Sequence, residues 1–174
     1  MRVGVAGVVL ACVGLPAGGT DLSAIEPGFD YHSFANVDQF RVTHLELDLR
    51  VDLEGKTISG VAALELKRLD PRATQLVLDT KDLMINDVTQ KATDVLGATA
   101  KNQTIWVSRP FHLEKPDHIL GSALVIDLPP SRKTVESIRI DYETLPTAAA
   151  LQWLTPKQTA GRHKAFLYTQ SEAI

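Results

Sequence analysis

From Phe40 onward the chain alternates apolar and polar residues with a period of two. Leu45, Leu47, Leu49, Val51 and Leu53 interleave with Glu46, Asp48, Arg50, Asp52 and Glu54, which predicts a strand with one face on a core and the other in water. Phe40 and Val42 lie in the opposite phase, so the register must slip by one residue around Thr43-His44, as a β-bulge allows. Beyond a turn at Glu54-Gly55-Lys56, the positions Ile58, Gly60, Ala62, Leu64 and Leu66 alternate again and close a hairpin. Further strands are expected at 75–78, 83–88, 104–107, 123–128 and 135–142. They are separated by Asp70-Pro71, Gly97, Arg109-Pro110 and Pro129-Pro130. No segment keeps a 3.6-residue spacing long enough to predict a helix. The pattern therefore predicts one all-β domain, an antiparallel β-sandwich over residues 37–174, entered by an extended leader over residues 20–36.

Residues 1–19 read as a signal peptide. Arg2 gives a short positive start, Val3 to Leu15 is apolar, and Ala17 and Gly19 are small residues suited to a cleavage point. The apolar run is shorter than the ~20 residues a helix needs to cross a bilayer. An exported product, periplasmic or extracellular and without a stable membrane span, is the expectation. Val9-Leu10-Ala11-Cys12 imitates a lipoprotein processing site only loosely.

Composition narrows the function. Of 174 residues, 44% are hydrophobic and 22% charged, an ordinary globular balance. Eighteen Lys and Arg face 21 Asp and Glu, a net charge of −3, and no basic stripe interleaves with aromatics. Nucleic acid is thereby excluded as a main partner. The one cysteine, Cys12, excludes an internal disulfide framework and a cysteine-based zinc site.

The local motifs for catalysis are missing. No His-Glu-x-x-His places two imidazoles one helical turn apart, and no Gly-x-Ser-x-Gly marks a nucleophile. His112, Glu114 and His118 are interrupted by Pro116, so they read as a solvated loop rather than a metal site. Asp79-Thr80-Lys81-Asp82 follows a strand and reads as a charged turn. Asn102-Gln103-Thr104 matches a glycosylation acceptor, relevant only in a eukaryotic secretory host. Trp153 reads as an anchor in a core or a domain interface, and Trp106 as strand packing or an edge.

Two longer strings are more specific. Ala150-Leu151-Gln152-Trp153-Leu154-Thr155-Pro156-Lys157-Gln158-Thr159, followed by 166–174, and Leu76-Val77-Leu78-Asp79-Thr80-Lys81-Asp82-Leu83 closely resemble the leukotriene A(4) hydrolase branch of the aminopeptidase N family of zinc metallopeptidases. The hairpin strings Thr57-Ile58-Ser59-Gly60 and Ala62-Ala63-Leu64 sit at the equivalent place, and the resemblance runs from about Asp30 to the last residue. It implies a saddle-like N-terminal β domain that packs on a thermolysin-like catalytic domain. The catalytic domain would carry the zinc ligands and a Gly-x-Met-Glu-Asn peptide-binding strand. None of those elements is in this sequence, so no cofactor is expected in this chain and zinc is expected in the missing catalytic domain.

The resemblance also implies two substrate-binding residues, Gln170 and Glu172. On an extended segment they point the same way, Gln170 toward the first side chain of a peptide and Glu172 toward its α-ammonium. A carboxylate there makes a charge-assisted hydrogen bond that a blocked or internal peptide cannot answer. Glu at 172 resembles the aminopeptidase pattern, and Gln there the epoxide hydrolase pattern. The expectation is thus a substrate-anchoring domain of an exported zinc aminopeptidase, inactive alone, whose partners are a peptide N-terminus and the catalytic domain. A free-standing secreted β-sandwich binding or scaffold module is the alternative, and a complete small enzyme has no visible metal set or nucleophile. An anchoring domain should expose an apolar patch near Trp153 and the C-terminal strand, whereas a free module should be polar there.

Overall fold

The computed structural model describes residues 31–92, 104–131 and 133–169. Strands β1 (Phe40–Asp52) and β2 (Thr57–Arg68) form the long hairpin, paired from Phe40 opposite Arg68 to Asp52 opposite Thr57. The register shift falls between Val42 and His44, as the change of phase requires. Thr43 is the extra residue, and its hydroxyl donates to the Glu65 carbonyl at 3.1 Å. Midway along the pair, Gly60 has φ +151°, and a Cβ there would lie 2.1 Å from the Asp48 carbonyl oxygen. Only glycine lets the two backbones come this close.

The remaining strands are β3 (Gln75–Thr80), β4 (Leu83–Ala92), β5 (Ile105–Ser108), β6 (Phe111–Leu113), β7 (Ser122–Asp127), β8 (Val135–Thr144), β9 (Leu151–Leu154) and β10 (Phe166–Thr169). They make a five-stranded sheet in the order β1-β2-β8-β4-β5, a three-stranded sheet β3-β7-β6 and a two-stranded sheet β10-β9. Every pairing between these strands is antiparallel. The sequence reading stopped β4 at Val88 and omitted β6, which extends the sheet at Phe111, inside the stretch read as loop. A second shift, between Ile85 and Asp87, leaves Asn86 unpaired in β4, and its amide donates to Asp141 Oδ1 at 2.8 Å.

The main core lies between the five- and three-stranded sheets. Leu64, Leu66, Ile138, Ile140 and Tyr142 from one sheet meet Leu76, Leu78, Leu124 and Ile126 from the other, the two inward faces of a sandwich. One end of this core is polar. Arg68 Nε lies 2.5 Å from Glu136 Oε1, with both side chains almost wholly buried. The Arg68 guanidinium also donates to the carbonyls of Ala73 and Pro129 and stacks over Phe40 at 4.8 Å. Glu136 accepts in addition from Gln90 Nε2 at 2.7 Å, and Arg109 Nε donates to Gln90 Oε1 at 2.7 Å.

The described part of the leader closes the free edge of β3. Asn36 places its side-chain amide where a neighbouring strand would be: Nδ2 donates to the Gln75 carbonyl at 2.8 Å, and Oδ1 accepts from Val77 N at 2.9 Å. Asp79 continues the contact by accepting from Ser33 Oγ at 2.6 Å and from Phe34 N at 2.7 Å. The reading of residues 79–82 as a solvated charged turn is corrected here. Asp79 and Thr80 are buried in β3 and only Lys81-Asp82 turn, with Asp82 at φ +55°. A strand edge left open in this way would invite pairing with another chain.

Two stability tests follow from the core. Glu136→Ala leaves the Arg68 guanidinium buried without its counter-charge and should cost about 3–5 kcal/mol in urea unfolding. Arg72→Ala, which removes the exposed contact with Asp70, should leave the midpoint unchanged. Tyr142 is buried and its hydroxyl has no hydrogen-bond partner among the described residues. Burial pushes its phenol up to about 12. The unfolded phenol ionises first, near pH 10, so stability should fall as pH rises from about 10 to 12. Tyr142→Phe should remove that part of the slope in unfolding measured across this pH window.

Candidate functional site

The segment leading to Gln170 and Glu172 is the β9-β10 hairpin. Phe166 pairs with Leu154, Leu167 with Trp153, Tyr168 with Gln152 and Thr169 with Leu151. Alternation decides which side chains turn inward. Leu151, Trp153 and Leu167 pack with Ile58, Ala148, Leu49 and Val51 in a second, smaller core at the end of the β1-β2 hairpin. Ile58 N donates to Thr144 Oγ1 at 2.9 Å, which joins this cluster to the end of β8.

The loop between the two strands is built by short-range bonds. Pro156 opens a 3-10 turn over Pro156–Gln158. Gln158 Oε1 accepts from Thr155 N at 3.0 Å and from Thr155 Oγ1 at 2.8 Å, and Gln158 N donates back to the Thr155 carbonyl at 2.9 Å. The Thr159 hydroxyl lies 2.7 Å from the Lys164 carbonyl and closes the loop base. Gly161 and Arg162 take left-handed backbone at φ +78° and +53°. The Leu-Gln-Trp-Leu-Thr-Pro string thus encodes a strand, its stop and the turn that returns the chain.

The outer side of the hairpin is apolar. Phe166 is 55% exposed, Tyr168 48% and Leu53 44%. A groove of about 140 Å³ lies between Leu53 and Phe166, lined also by Lys56, Trp153, Leu154 and Pro156. The Trp153 indole N–H is buried without an acceptor among the described residues. Exposed apolar side chains thus adjoin Trp153 at this end of the domain. Trp106 lies on β5, an edge of the five-stranded sheet, opposite Lys91, with the Arg139 guanidinium 4.0 Å above its ring.

Gln170 and Glu172 lie outside the described residues; β10 ends at Thr169, the residue before Gln170. Asn102 and Gln103 of the glycosylation pattern and the signal segment also fall outside them. His112 Nε2 and Glu114 Oε1 are 3.1 Å apart on the exposed edge of β6, while His118 pairs loosely with Asp117 at 3.8 Å. Among the described residues, no group of three His, Cys, Asp or Glu side chains converges to hold a metal. These side chains do not fit a zinc set, and no helix among the described residues is long and apolar enough to cross a membrane. The strings also concealed the Asp79 clamp. Its partners are 45 and 46 residues away, and a lone Asp at a strand end carries no local signal for them.

An antiparallel two-sheet domain with a short hairpin at its end defines the class, and its architecture is that of a domain found in solved hydrolases. The native yeast LTA4 hydrolase structure superposes with a TM-score of 0.70 at 31% identity, over 87% of this chain and 22% of that one. Among curated proteins, leukotriene A-4 hydrolase of Xenopus laevis is 32% identical over 149 residues, 83% of this chain and 22% of its own length. Leucine aminopeptidase 2 of Yarrowia lipolytica is 32% identical over 148 residues, 85% of this chain and 21% of its own. No protein-family model matches. The chain is homologous to the N-terminal domain of the leukotriene A-4 hydrolase and leucine aminopeptidase 2 proteins, and it spans about a fifth of their length.

The second core makes the hairpin separable from the sandwich. Trp153→Ala should speed hydrogen exchange of the Phe166–Thr169 amides while those of β2 and β8 keep their protection, as read by exchange mass spectrometry.

Proposed function

We propose that this domain anchors the peptide substrate of an exported, zinc-dependent aminopeptidase and is inert alone. The single observation that carries the reading is the homology: most of this chain aligns with about a fifth of leukotriene A-4 hydrolase and leucine aminopeptidase 2. The remaining length of such proteins is where a catalytic part would lie. The exposed Phe166 and Tyr168, next to the segment that continues to Gln170 and Glu172, support a partner surface at this end of the domain.

In this reading a zinc held by the catalytic part would supply the polarisation of the scissile carbonyl and the activated water. This chain's own residues bind and orient. The Glu172 carboxylate accepts hydrogen bonds from the substrate's α-ammonium, which sets the distance from the free N-terminus to the reacting bond. Gln170, two residues earlier in the sequence, contacts the first side chain. A blocked N-terminus offers no charge to Glu172, so exopeptidase specificity follows from one ion pair.

The test is the intact mass of the native protein in its own cells, recovered with an antibody against this domain. A species several-fold heavier than 19.0 kDa, beginning at Thr20, is expected. In that enzyme, Glu172→Ala should lower kcat/KM for aminoacyl anilides roughly 10- to 100-fold, the loss of one hydrogen bond to a charged group. A species at or just below 19.0 kDa would overturn the reading in favour of a free-standing binding module.

A further inference from the structure

The outer face of the five-stranded sheet carries a depression of about 160 Å³. Its floor is made of small residues, Ala63 on β2 and Ser137 on β8. The register arranges the larger side chains around them in two rows, each crossing three strands. In one row Glu46 is opposite Ala63 and Ala63 is opposite Arg139. In the other Glu65 is opposite Ser137, and Lys91, next to the Gln90–Ile138 pair, falls opposite Ser137 from the other side. Each row thus runs carboxylate, small residue, cation. Both carboxylates lie on the β1-β2 side of the depression and both cations on the β8-β4 side, where Trp106 of β5, opposite Lys91, closes it.

Opposite charges on neighbouring strands of one face ordinarily pair with each other. These do not. All four charged side chains are exposed, and among the described residues none of them takes part in an ion pair. The Arg139 guanidinium instead lies over the Trp106 ring, 4.0 Å from its centroid. Leaning toward β5 in this way, it is turned away from Glu46 and Glu65, and the indole fixes its plane while its N–H edge stays open to a carboxylate. On the acidic side the bulge between Val42 and His44 brings His44 onto this face, opposite Glu65.

We propose that this depression binds a short peptide with both termini free, its α-ammonium against Glu46 and Glu65 and its carboxylate against Arg139 and Lys91. In each row the carboxylate and the cation stand two strand spacings apart, about 10 Å between backbones. Two or three extended residues cover about 7–11 Å, so a dipeptide or tripeptide bridges the two sides. A free amino acid carries its charges too close together to reach both. Charge complementarity selects a zwitterion over a simple anion, which would leave Glu46 and Glu65 unanswered. A C-terminal aromatic side chain would meet the Trp106 indole beside the cations. This site is independent of the peptide-anchoring function above, since every residue it uses lies in β1, β2, β4, β5 or β8.

The test is a titration of the full chain with the dipeptide Ala-Phe, followed by the indole N–H resonances of Trp106 and Trp153. The Trp106 signal should move at millimolar peptide while the Trp153 signal stays. N-acetyl-Ala-Phe, Ala-Phe amide and free phenylalanine should each bind about tenfold more weakly or worse, having lost one charge-assisted contact. Arg139→Gln should weaken Ala-Phe about tenfold and the amide hardly at all, because the amide has no carboxylate to lose. Glu65→Gln should weaken Ala-Phe in the same way and spare the N-acetyl form. A purely structural role for these side chains would not produce that crossed pattern. Should Arg139→Gln disturb the sheet, Lys91→Gln carries the same comparison. An unmoved Trp106 signal would overturn the proposal, as would equal affinity for the four ligands. So would loss of binding in Glu172→Ala, which would put the peptide on the C-terminal segment instead.

Discussion

The Arg68–Glu136 pair ties the two sheets together. Arg68 is the last residue of β2 and Glu136 lies in β8, so the ion pair itself belongs to the five-stranded sheet. The same guanidinium reaches Ala73, just before β3, and Pro129, just after β7, both beside the three-stranded sheet. A buried pair is a doubtful source of net stability, because desolvating two charges offsets their attraction. Here the remaining donors and acceptors are answered by carbonyls, by Gln90 and by the Phe40 ring. The gain is definition: a sandwich held only by apolar contacts tolerates sliding, whereas a guanidinium with four fixed partners does not.

From that fixed end the rest follows outward. The apolar core fills the middle of the sandwich, and the opposite end is closed by a separate cluster under the β9-β10 hairpin. The element that adjoins Gln170 is thus mounted on the smaller core, away from the buried charges. Such an arrangement lets the hairpin adjust to what it meets while the sandwich stays rigid.

Strong periodicity was legible and distant pairing was not. The β1-β2 hairpin and the bulge beside Thr43 follow from the change of phase between Val42 and Leu45. The same signal existed in β4, where inward positions pass from Leu83 and Ile85 to Val88, but a six-residue reading of the strand hid it. β9 and β10 span four residues each, too few for alternation to stand out. Asp79 read as part of a charged turn because the groups that bury it are 45 and 46 residues away. Gln170 and Glu172 could be singled out only through family resemblance, since an exposed Gln and Glu on a strand have no physical mark of their own.

The Asn36 amide that stands in for a strand has a kinetic consequence. The leader leaves the ribosome before everything it binds, and its partners on β3 follow it by 39 to 46 residues. β3 can pair with β7 before or after the leader docks, but its outer edge stays uncovered until Asn36 returns to it. Residues 33–36 can therefore lock only after β3 has been made. During that interval the partly folded domain offers a bare edge to neighbouring chains.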